Sequence, residues 1–212
     1  MTHTNHNEKM LVIRAFIALL VLIFSFHSLT KAEDISEFEI EGISLGDSLL
    51  NYFSKVEIDN FIDPYKDLVP NKKVKTLITE VNLKKYDMLE LSFFKNDSDY
   101  RLESIGGAIF FPNNFNKCID KQKKVSDELY LFFNKPEKNI SDFKFPADKS
   151  GKTKVFQHTF MIGDKKFYNV MINCFKFGKK FKNMGYANNL NIIITTDKWS
   201  EYMASLGLSS KN

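Results

Sequence analysis

Histidine, cysteine, tryptophan and proline are all scarce in this chain of 212 residues, at four, two, one and five. Three of the histidines, His3, His6 and His27, fall within the first 32 positions, which leaves His158 alone in the rest. One imidazole cannot build the histidine sets that zinc sites commonly use. There is also no phosphate-cradling Gly-x-x-x-x-Gly-Lys loop and no His-Glu-x-x-His helix. The two cysteines, Cys118 and Cys174, are far apart in sequence and lack the Cys-x-x-Cys spacing that lowers a thiol pKa for redox work. An apolar run that could span a bilayer is missing too. The longest, Ala15 to Phe26, is about half of the ~20 residues a spanning helix needs.

That short run follows Lys9 and Arg14 and precedes Ser28-Leu29-Thr30-Lys31-Ala32. A basic start, a short apolar middle and small residues at 30 and 32 make a secretory signal with cleavage after Ala32. An uncleaved anchor is the rival, disfavoured by the shortness of the run. The residue directly after the cleavage point is Glu33 and not a cysteine, so no lipid anchor is expected. The expected product is residues 33–212, a single periplasmic or secreted domain. Removing residues 1–32 takes three of the 30 basic and one of the 26 acidic residues, leaving 27 against 25 and a net charge of +2. So near-neutral a balance, with the export signal, argues against nucleic-acid binding.

What the chain has in abundance is phenylalanine, 21 in all, 18 of them after residue 32. An aromatic core rich in sheet is expected. Phe38 to Glu41 alternates as a half-buried strand, Gly42 and Gly46 allow a turn, and Asp47 is positioned to cap a helix from Ser48 to about Ile62, ended by Pro64. Strands are expected at 75–81, 88–94 and 101–111, the last interrupted by Gly106-Gly107, a mark of a bulge or a close backbone approach. Cys118, Ile119, Val125, Leu129, Phe132 and Phe133 share one face of a second helix. Residues 134–154 read as a long polar connection. Strands at 155–162 and 166–177 meet at Gly163-Asp164, residues 178–185 form a basic loop, and a strand at 190–195 leads to a short helix capped by Asp197. The fold class is α+β: antiparallel sheet with two main helices on one face, and an element order that suggests a duplicated helix-plus-three-strand unit with halves 33–112 and 113–212.

The run from Ile35 to Leu50, Phe111-Pro112-Asn113-Asn114 before the Cys118 helix, and Asp197-Lys198-Trp199 near the end resemble a family of small exported proteins of Pelagibacter-type marine alphaproteobacteria. That resemblance covers most of the chain after the signal and implies export and one domain; it brings no catalytic residues. A looser likeness, of the Gly-Ile-x-Leu-Gly-x-Ser turn feeding a helix, is to helix-on-antiparallel-sheet modules of outer-membrane assembly factors and β-lactamase inhibitor proteins.

In an oxidising compartment Cys118 and Cys174, each on a core face, read as a structural disulfide, with two buried thiols as the other reading. His158 sits among phenylalanines and reads as a half-buried structural residue. Glu39 with Glu41, or Glu90 with Glu103, are the carboxylate pairs a hydrolase would need, and their alternation with apolar residues makes them the wet face of strands. Lys179, Lys180, Phe181 and Lys182 are candidates for contact with a partner or an anionic envelope surface. The function expected is a non-catalytic binding module for a protein or envelope component, with no cofactor and no metal. A small-molecule or lipid binder is the alternative, and a carboxylate hydrolase comes third.

Overall fold

The computed structural model describes residues 35, 38–61, 63, 73–80, 83–163 and 169–206. The signal segment and its cleavage point, the stop at Pro64, and Asp164 of the Gly163-Asp164 turn lie outside these residues. Seven strands form one antiparallel sheet in the order β3-β4-β5-β9-β8-β7-β6. They are β3 (Val74–Thr79), β4 (Met88–Phe94), β5 (Leu102–Phe110), β6 (Glu137–Lys144), β7 (Lys154–Met161), β8 (Val170–Lys176) and β9 (Asn189–Thr195). A two-stranded ribbon, β1 (Glu39–Ile40) with β2 (Ile43–Ser44), precedes them. The chain is α+β. Each of its two runs of strands follows a helix, and the last strands of the two runs, β5 and β9, lie side by side at the centre.

The expected first helix is broken in two. Ser48 caps a single 3-10 turn, Leu49–Asn51, and the chain then restarts as α1 (Lys55–Asn60) behind Ser54. Ser54 and Glu57 form a reciprocal capping box, which makes residue 54 a better start than 47. Asp47 instead accepts the Ser44 N–H at 2.9 Å and the Tyr52 hydroxyl at 2.6 Å. Leu49 and Ile58 still reach the core, so both pieces cover the same face of the sheet.

That face is apolar because it is covered. Leu77, Leu89, Leu91, Ile105, Leu190, Ile192, Val170 and Ile172 line it from five strands. Across β7, β8 and β9 lies α2 (Phe115–Phe132), capped by the Asn114 side chain, which accepts the Lys117 N–H. Gln122 reaches from α2 into the sheet, donating to the Phe156 and Ile172 carbonyls at 2.7 Å. Gly107 is required here by packing: the aromatic ring of Tyr86 lies where a Cβ would be, 2.5 Å from it. The glycine pair therefore marks a close approach, and the bulge lies further back on the same strand, where Glu103 is the extra residue opposite Ser92/Phe93 of β4.

The opposite face is more polar, with Thr76 against Ser92 and Gln157 donating to Asn173 at 2.9 Å. The short terminal helix α4 (Asp197–Ser205) covers one corner of it, packing Trp199 and Tyr202 on Phe94. Its cap is Thr196, which accepts the Trp199 N–H, so Asp197 stands one place inside the helix.

Two connections expected from the sequence contain regular structure. Residues 134–154 hold β6, the last strand of the sheet, and residues 178–185 hold a single-turn helix, α3 (Lys179–Asn183). β6 escapes recognition because as an edge strand it is exposed along both faces, which erases the alternation that marks a half-buried strand.

Candidate functional site

Register brings together three lysines that are distant in sequence. Lys144 on β6 lies directly opposite Lys154 on β7, and Lys154 lies directly opposite Lys176 on β8. Directly opposed residues share a face, with Cβ atoms about 5 Å apart. All three side chains are exposed, and among the described residues no carboxylate pairs with any of them. They stand on the α2 side of the sheet, where the Lys176 ammonium lies 5.4 Å from the centre of the Phe115 ring.

Phe115 opens α2, so the row borders the positive end of an 18-residue helix. The orphan N–H groups there carry about half a unit of positive charge. Helices commonly place an acidic residue in this turn; α2 has none, and its only charged residue there is Lys117. The turn is fixed in place by the expected disulfide. Cys118 is bonded to Cys174, with Cα atoms 6.0 Å apart, two residues before Lys176 on the same strand and face.

The same end of the sheet is basic on its other face. Phe145, Phe175, Phe177, Phe181 and Tyr186 pack ring against ring with centroids 5.3 to 6.4 Å apart. This cluster anchors α3, which displays Lys179, Lys180 and Lys182 outward. Phe181, expected as a contact residue, is only 9% exposed and serves as the anchor. Met184 and Tyr186, at 61% and 48% exposure, are the apolar groups that α3 presents instead. The preceding residue is glycine because a Cβ at 178 would meet the Lys152 Cβ at 2.7 Å. In the adjoining loop the Asp148 carboxylate is turned inward, accepting from Ser150 and Thr153 side chains and backbone. Those donors hold it far below the usual carboxylate range, so it stays charged but is committed to the loop rather than to the lysines.

Of the groups a hydrolase would need, His158, Glu41 and Glu103 are held in structural hydrogen bonds. His158 Nδ1 lies 2.8 Å from Ser126 Oγ, a nucleophile-and-base pairing, but Ser126 is 0% exposed on the sheet-facing side of α2. The pair is therefore a structural bond between helix and sheet. Burial pushes the His158 pKa down, with a smaller push from Lys138 that Asp127 opposes. Glu41 accepts the backbone N–H groups of Lys84, Lys85 and Tyr86, which outweigh the partial burial of its carboxylate and hold its pKa low. Glu103 takes the Thr196 hydroxyl and the Lys198 ammonium, the latter at 2.8 Å. No metal-holding cluster of acids, histidine and cysteine occurs among the described residues.

No protein-family model, no curated protein and no solved structure matches this chain. The site is thus read from its own chemistry. The run Lys179–Lys182 was visible in sequence. The row of Lys144, Lys154 and Lys176 was not, since only strand pairing makes those positions neighbours.

Proposed function

We propose that this is an exported, non-catalytic binding module whose lysine-bearing end engages an anionic, phosphate-bearing component of the cell envelope. The observation that carries this reading is the row Lys144, Lys154 and Lys176, in register and without a carboxylate partner. Like charges directly opposite one another destabilise a sheet. An anion from outside converts that cost into attraction. The positive end of α2 and the three lysines of α3 add to the same field, and near an anionic surface each lysine contributes about 1 kcal/mol. Tyr186 and Met184 beside α3 suit an interface that is part charged and part apolar.

Export is part of the proposal. The Cys118–Cys174 disulfide is consistent with an oxidising compartment, and the leader read in the first 32 residues supplies the route. Among the described residues no helix is long and apolar enough to cross a membrane. The alternative of a ligand held between sheet and helices is less favoured, because Gln122, the disulfide and the Phe115–Phe156 contact bridge that space. Sedimentation with lipid vesicles tests the reading. Vesicles rich in anionic phospholipid should carry the protein down at low salt, and purely zwitterionic vesicles should not; equal recovery with both would refute it.

A further inference from the structure

The outer edge of β6 is unpaired among the described residues, and its side chains are arranged as though to meet their own copy. We infer that β6 pairs antiparallel with β6 of a second copy, about a two-fold axis at Ile140. Lys144, at the end of β6, belongs also to the lysine row, but the pairing is argued from Lys138, Ile140 and Asp142, so the inference does not rest on the proposed function.

Symmetry limits the registers. A two-fold that sets neighbouring strands antiparallel stands perpendicular to the sheet, so each face stays on its own side and only same-face residues oppose one another. On the α2 face β6 presents Lys138, Ile140, Asp142 and Lys144. With the axis at Ser141, Lys138 would oppose Lys144 and Ile140 would oppose Asp142. With the axis at Asn139, Lys138 would oppose Ile140. With the axis at Ile140, each Lys138 opposes Asp142 of the second copy and the two Ile140 side chains oppose each other. On the other face Asn139 then meets Ser141.

The exposed groups fit that centre. Ile140 is 62% exposed in the middle of the strand, an unusual place for a large apolar side chain on a free edge. The Lys138 ammonium lies 5.5 Å from the Phe160 ring and 5.9 Å from the Tyr130 ring. Those contacts keep it on the α2 face, the face that Asp142 of the second copy would share, with its ammonium turned toward β7 and α2. Edges guarded against association carry charges that repel their own kind. Here opposite charges flank Ile140 at equal distances, a pattern that attracts.

Light scattering on the exported protein should give twice the chain mass. Reversing one charge, Lys138→Asp or Asp142→Lys, should weaken the dimer at least tenfold, and the double reversal should restore it, with circular dichroism unchanged throughout. Register is read separately. Cys118 and Cys174 are bonded to each other, so Ile140→Cys adds a lone thiol, which should cross-link two copies on mild oxidation, while Asn139→Cys should not. A monomer at every concentration, a dimer indifferent to the charge reversals, or cross-linking through Asn139→Cys would each overturn the inference.

Discussion

Lys154 and Lys176 face each other across β7 and β8 as directly paired residues, and Lys144 extends the pairing to β6. Such a row sets stability against binding. Lys154→Glu turns two repulsive pairs into attractive ones, so it should raise stability by about 1 kcal/mol while weakening binding to anionic vesicles. Urea unfolding and vesicle sedimentation on the same preparation check both halves. A variant that loses stability would show that the row is structural.

Cys118 and Cys174 close a loop of 56 residues and clamp the start of α2 onto β8. Replacing both with alanine should cost about 4 kcal/mol on the chain-entropy account. The urea midpoint of the untreated protein should fall correspondingly on adding a reductant. Where the alanine variant remains folded, its affinity for anionic vesicles should also drop, because the helix end beside Lys176 is no longer fixed.

Gly107 and Gly178 are glycine for reasons of space. Gly107→Ala places a methyl group against the Tyr86 ring, and Gly178→Ala places one against Lys152. Each should cost about 1–3 kcal/mol, as overpacked sites do. Combining Gly107→Ala with Tyr86→Ala should recover part of the loss, which thermal unfolding of the double variant measures.

His158 makes stability depend on pH near neutrality. Its pKa in the folded protein lies below the ordinary 6.5, chiefly through burial. The unfolded chain therefore takes up a proton at a higher pH than the folded one. Stability is at its full value above about pH 6.5, falls as the pH drops from there toward the folded pKa, and then levels off. Ser126 on α2, Asp127 beside it and Lys138 on β6 are the groups that face this ring. His158→Gln can keep a bond to Ser126 without titrating, so its stability curve should be flat over that interval.

Much of the fold was legible because it follows local rules. The alternation in 88–94, the one-faced apolar pattern of 118–133 and the Gly106-Gly107 interruption all correspond to features of the sheet and α2. The pairing of Cys118 with Cys174 was legible from redox logic and core position. Register carries no local signature, which is why Lys144, Lys154 and Lys176 stayed invisible as a group. β6 was hidden for a different reason: Glu137, Lys138, Asn139 and Ile140 are mostly exposed, and an exposed edge has no need of a buried side. Asp47 misled because aspartate is a good cap, yet Ser54 with Glu57 offers the chain two bonds where Asp47 would offer one.

The most direct test compares two triple variants that remove the same charge from different places. Lys144→Ala/Lys154→Ala/Lys176→Ala empties the row, and Lys121→Ala/Lys123→Ala/Lys124→Ala empties the same number of lysines from the body of α2. On vesicles rich in anionic phospholipid at low salt, the first should lose most of its binding and the second should keep most of it. Equal losses would mean that overall charge governs the interaction, and would contradict a site at the lysine row.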